Sequence, residues 1–106
     1  MVTIIDKIRL RPGIDRNRFE RWVRQTDYAA CHELASIASF SVVQVSTGYG
    51  APFHYVEVIQ ATSAEAFAAD VATPRFQALV AAFGEMAEVV ETVEGELIEP
   101  GYARAR

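Results

Sequence analysis

Three ionisable side chains fall among apolar neighbours in this chain, where proton transfer is the chemistry that they could do: Asp27, His54 and Glu57. His54 and Glu57 belong to Phe-His-Tyr-Val-Glu-Val-Ile-Gln, residues 53–60, which reads as a strand. Side chains alternate along a strand, so Phe53, Tyr55, Glu57 and Ile59 share one face and His54, Val56, Val58 and Gln60 the other. An imidazole titrates near working pH and suits a proton shuttle. A glutamate against Phe53 and Tyr55 can hold its proton unusually late. Asp27 comes four residues after Val23, at the margin of a helical apolar stripe near Trp22 and Cys31. There it can accept a proton from a ring N–H or orient an imidazole. Trp22, Tyr28, His32 and Tyr55 are the candidate substrate-binding residues, walls and polar contacts for a flat aromatic ligand. Each group also has a structural reading. His54 can be a hydrogen-bonded histidine at a strand start, Glu57 a salt-bridging residue at a subunit seam, and Asp27, Tyr28 and His32 a solvated helix flank. Cys31 lacks flanking cations and reads as packing.

The elements that must position these groups are set by periodicity. Val2 to Leu10 alternates as a strand, with Val2, Ile4, Ile8 and Leu10 on one side. Asp6 falls in that apolar set, either near a sheet edge or as a carboxylate with a partner. Arg11-Pro12-Gly13 ends the strand, and Asp15 caps a helix expected to run to about Ala30 on Phe19, Trp22, Val23, Thr26 and Ala30. Ile37 to Thr47 is a second strand, with Phe40 and Val42 on one face and Val43 and Val45 on the other. The link Gly48-Tyr49-Gly50-Ala51-Pro52 makes a hairpin with the strand that starts at Phe53. Ser63 caps a second helical region that restarts at Thr73-Pro74, and Gly84 either ends or loosens it. Glu88 to Ile98 is the last strand, and Pro100 to Arg106 a tail.

Strand, helix, strand, strand, helix, strand is the βαββαβ order of an α+β, ferredoxin-like fold: a four-stranded antiparallel sheet with two helices on one face, spanning residues 1–99. The strands carry apolar residues on both faces, so the open face needs a cover. A second copy, sheet against sheet, closes a dimeric α/β barrel and leaves each subunit a pocket between sheet and helices. With 106 residues the chain is one domain that needs no disulfide or metal to fold. Ten basic and fourteen acidic residues, a net charge of −4, disfavour nucleic acid and anionic membrane surfaces. Seven of the basic residues precede position 25 and six acidic ones fall between Glu85 and Glu99; where the first and last strands are neighbours, Lys7 and Arg9 can meet Glu94 and Glu96 as cross-strand pairs, the alternative being solvated pairs worth little each. One cysteine and no secretory leader place the chain in the cytoplasm, and no apolar run is long enough to span a membrane. Two histidines without ligand spacing argue against a metal, and neither a phosphate-binding Gly-rich loop nor a nucleophile elbow is present.

The runs W-V-R-Q-T-D-Y-A-A-C-H-E-L-A-S-I-A-S-F, residues 22–40, and F-H-Y-V-E-V-I-Q-A-T-S-A-E-A-F-A-A-D-V-A-T-P-R-F-Q-A-L-V-A-A-F, residues 53–83, resemble the RedY-like (HapK-like) proteins of the dimeric α/β-barrel superfamily. That resemblance implies a bacterial natural-product pathway of the prodiginine-pigment or indole-derived kind. It also implies a cyclase or dehydrating enzyme for a pyrrole- or indole-derived intermediate, working without metal or organic cofactor. On that reading Asp27, His54 and Glu57 move protons. The wider superfamily implies two other readings, a cofactor-free monooxygenase and a non-catalytic binder of an intermediate. Fold alone does not choose among them.

Overall fold

Alternation places β1 (Val2–Leu10) in the sheet interior: Val2, Ile4 and Ile8 are buried on one face, while Arg9 is exposed. The computed structural model describes residues 1–45, 48 and 50–105. β1 pairs antiparallel with β3 (Tyr55–Ala61) on one side and β4 (Ala87–Glu96) on the other, and β2 (Ile37–Gln44) pairs antiparallel with β3. The order is β2-β3-β1-β4, the ferredoxin-like arrangement that the element order predicts. Ser46, Thr47 and Tyr49, the end of the expected second strand and the middle of its turn, lie outside the described residues. The hairpin ladder extends beyond β2 through the Val45 amide, which donates to the His54 carbonyl at 2.9 Å.

Helices cover one face. The Asp15 carboxylate accepts from the Asn17 amide at 3.1 Å and starts α1 (Arg16–Trp22), after Gly13 has turned the chain at φ +83°. The expected uninterrupted helix to Ala30 is not what forms. A π-helical turn at Val23–Asp27 comes after α1, then α2 (Tyr28–Ala30), and a 3-10 turn at Cys31–Glu33 closes the segment. The Tyr28 amide reaches back five residues to the Val23 carbonyl, which admits one more residue than an α-turn holds. Ser63 caps α3 (Ala64–Val71), and Thr73 with Pro74 opens α4 (Pro74–Met86), as the sequence predicts. Gly84 ends nothing: α4 runs through it, and its carbonyl accepts from Arg11 Nε at 2.7 Å.

Phe19 joins helix to sheet. Its ring is buried 4.9 Å from that of Tyr55, with Ile8, Val23 and Met86 around it. Truncation there would cost about 3–5 kcal/mol, the usual range for a buried aromatic. Val2, Ile4, Ile59 and Ala61 form a second cluster under Phe67, and Ala30, Leu34 and Leu79 tie α2 to α4. The other sheet face lies open, with Val43 49% and Val93 52% exposed. Lys7 and Arg9 meet Glu91 and Glu88, not Glu94 and Glu96. The antiparallel register sets Val2 opposite Glu96 and so Ile4 opposite Glu94 and Lys7 opposite Glu91, and an irregularity after Lys7 then brings Arg9 opposite Glu88. Glu96 instead reaches the N-terminal ammonium at 3.4 Å.

Candidate functional site

A cavity of about 460 Å³ lies between the sheet and the helices. Its walls are apolar and aromatic: Trp22 from α1, Phe40 from β2, Phe67 from α3, and Phe76 and Phe83 from α4. Volume and lining suit one flat molecule of a few fused or linked rings. The Phe67 and Phe76 rings meet edge to face at 5.8 Å, and Trp22 lies 6.4 Å from Phe83, so the walls support one another.

Four carboxyl groups, those of Asp6, Asp27, Glu57 and Glu88, interrupt this lining. Asp6 and Glu57 stand opposite each other on β1 and β3, both on the covered face, and their side chains share a hydrogen bond. Two carboxyls can do so only if one keeps a proton. Burial pushes Glu57 up to about 9, reinforced by that bond and by the charges of Asp6 and Asp27. The Thr92 hydroxyl, from β4, donates to Asp6 Oδ1 at 2.7 Å. Asp27 comes from the π-turn, and burial raises it to about 6. Near neutral pH the site therefore holds a protonated acid and an ionised base, the pairing general acid–base catalysis needs.

Of the residues expected at the site, Asp27, Glu57 and Trp22 line the cavity. His54 does not. Its Nδ1 accepts the Leu10 amide at 3.0 Å, its own amide donates to the Ile8 carbonyl at 2.7 Å, and the ring is buried at the β1–β3 end. Tyr55 shares the covered face of β3, but its hydroxyl donates to Glu20 Oε2 at 2.6 Å and accepts from Arg16 Nη1 at 3.2 Å. Burial, with that bond to Glu20, raises its pKa. Tyr28 packs edge on against Phe40 and accepts the Val42 amide at 3.0 Å, closing a hydrogen-bonding position on the outer strand. His32 is exposed on the 3-10 turn, away from the cavity. Phe53 precedes β3 and escapes its alternation; Lys7 Nζ sits 5.2 Å from its ring.

Asp6 is the residue that sequence reading leaves out of the site. The signal was its place in the apolar set of β1, but only the strand register shows that its opposite number is Glu57. Cys31 also lines the cavity, its thiol pushed up by burial and by the charges of Asp27 and Glu57. Arg11 and Glu88 stand at one end, 3.8 Å apart. Among the described residues no group of three His, Cys, Asp or Glu side chains could hold a metal ion. No helix among them is long and apolar enough to cross a membrane.

Comparison with known proteins adds a family to this geometry. No protein of curated function matches the chain. The solved structure of HapK from Hahella chejuensis is similar at 48% identity over 99% of this chain and 100% of that one, with a TM-score of 0.93. SnoaB, a cofactor-independent oxygenase from Streptomyces nogalater, shares the fold at 16% identity, covering 93% of this chain and 94% of its own, with a TM-score of 0.73. A dimeric protein of unknown function and ferredoxin-like fold from Bacteroides fragilis does so at 14% identity, 91% and 95% coverage, and a TM-score of 0.69. The family model of the REDY-like protein HapK matches residues 2–98, and the chain belongs to that family.

Proposed function

We propose that this protein is a cofactor-independent enzyme of secondary metabolism that cyclises or dehydrates a pyrrole- or indole-derived intermediate by acid–base catalysis. The observation that carries the reading is the pairing, across one aromatic-walled cavity, of a protonated Glu57 with an ionised Asp27. In a dehydration, Glu57 gives its proton to the leaving hydroxyl, the C–O bond breaks, and water departs. A ring carbon then bonds to the carbon left cationic and gives up its proton to Asp27, which restores aromaticity, and proton exchange with solvent resets both groups. Trp22 and the phenylalanine walls hold the intermediate in a reactive shape. His54 is left out of this assignment, because its Nδ1 is committed to a backbone amide.

The working form in this reading is a cytoplasmic homodimer. Ile5, Val43, Val56, Val58 and Val93 lie on the uncovered sheet face, and a second copy seated there hides them from water. The protein from Bacteroides fragilis is described as dimeric, which supports the arrangement. A second reading, cofactor-free oxygenation, draws support from the likeness to SnoaB. In it the Asp27 carboxylate forms a substrate carbanion that reduces oxygen.

Turnover of a synthetic hydroxyalkyl pyrrole or indole, with and without oxygen, tests the two readings. Product formed anaerobically and lost in both Asp27→Asn and Glu57→Gln supports the first. Strict dependence on oxygen supports the second. Rates unchanged in both variants would remove Asp27 and Glu57 from the chemistry, and a ligand that binds with no turnover above the uncatalysed rate would leave only a binding protein.

A further inference from the structure

The cavity's charge says more about its ligand than its shape does. Four of its lining residues are acidic, Asp6, Asp27, Glu57 and Glu88, against a single base, Arg11. That base is already engaged: Arg11 Nε donates to the Gly84 carbonyl at 2.7 Å, and Nη1 faces Glu88 at 3.8 Å. Further along the sheet wall, the Asp6–Glu57 pair shares one proton and so keeps one negative charge. The Thr92 hydroxyl, across from Asp6 on β4, donates to its Oδ1 at 2.7 Å. Asp27 contributes a second anion from the opposite wall. Among the described residues that line the cavity, no other cation stands beside these two anions. Set among apolar surface, they are costly unless something positive offsets them. The remaining wall is apolar, aliphatic side chains together with the rings of Trp22, Phe40, Phe67, Phe76 and Phe83, and ring faces attract cations. A neutral hydrocarbon would use the rings and leave the anions unmatched. An anionic ligand would be repelled.

We propose that the cavity selects a flat heteroaromatic cation, such as a ring-protonated or iminium form of the substrate, lying against Trp22, Phe76 and Phe83 with its positive edge between Asp6 and Asp27. The proposal rests on the reading that this cavity is the ligand site, and it deepens it. For the dehydration above, C–O cleavage turns a neutral heteroaromatic alcohol into such a cation, which the same anions stabilise as it forms.

Two probes of nearly one shape separate charge from shape: 10-methylacridinium, a permanent cation, and acridine, uncharged at about pH 8. Their binding to the full chain is measured by fluorescence and calorimetry at moderate salt. The expected result is one site per chain, with the cation at least about tenfold tighter than acridine. Asp27→Asn and Asp6→Asn should each remove most of that preference while leaving acridine binding within about twofold. Acridine binding as tightly as the cation, a preference unmoved by both substitutions, or one abolished by salt alone would overturn the inference and leave the cavity reading standing. Failure of both probes to bind, or binding undisturbed by Trp22→Ala and Phe83→Ala, would overturn both.

Discussion

Glu57 holds its proton to about pH 9 in the folded chain, against 4.5 for the free side chain, and that difference makes stability depend on pH in a defined direction. A carboxyl with a raised folded pKa contributes its full stability below the unfolded value and loses it as pH rises through the folded one. Between about pH 6 and pH 8 the unfolded chain has released this proton and the native chain has not, so stability falls by about 1.4 kcal/mol per pH unit. At about pH 7 the accumulated cost is about 3 kcal/mol, a sizeable part of what a domain of this size has. Asp27, raised to about 6, adds to the slope below that pH and little above it. Glu57→Gln keeps a donor for Asp6 and has nothing to ionise. Urea unfolding of wild type and variant at several pH values should therefore give a falling line for the wild type and a flatter one for Glu57→Gln. The variant should be the more stable by about 3 kcal/mol near pH 7. Parallel lines over this window would mean that Glu57 is ionised in the native state, and the acid assigned to the cavity would be gone.

Other substitutions test separate parts of the structure. Asp27→Asn should lower turnover by about 100-fold or more, with ligand binding still reported by Trp22 fluorescence; an unchanged rate would remove Asp27 from the chemistry. His54→Ala leaves the Leu10 amide without its acceptor and should cost about 1–3 kcal/mol in chemical unfolding, with the rate per folded molecule retained. Loss of that rate in a fully folded His54→Ala protein would return the imidazole to catalysis. Val58→Asp, on the open sheet face, should shift light scattering from two chains to one; a persistent dimer would point to another interface.

Much of the fold was legible because each local signal agreed with the next. The caps at Asp15, Ser63 and Thr73 and the alternation of Val2–Leu10 leave little freedom in element order. The site was less so. Alternation groups Tyr55 with Glu57 without saying how far along the strand the cavity extends, and Tyr55 falls beyond its end, in the packing around Phe19. His54 and Tyr28 carry polar groups suited to chemistry, but both satisfy backbone amides, a need that only strand pairing reveals. The Lys7 and Arg9 partners were misplaced because sequence does not set where the last strand lies against the first: Lys7 falls opposite Glu91 and, past an irregularity, Arg9 opposite Glu88. Asp6 entered the site by the same route, through the residue across the sheet.

The wide turn at Val23–Asp27 makes the chamber's base hostage to a count of residues. Each residue added to an ordinary helix rotates the segment beyond it by about 100°. Removing one residue from this turn would restore a regular helix with better hydrogen-bond geometry, yet swing the carboxylate away from the rings that now enclose it. On the proposed function, a one-residue deletion in this turn would turn a chain that abstracts a proton into one that only holds a guest.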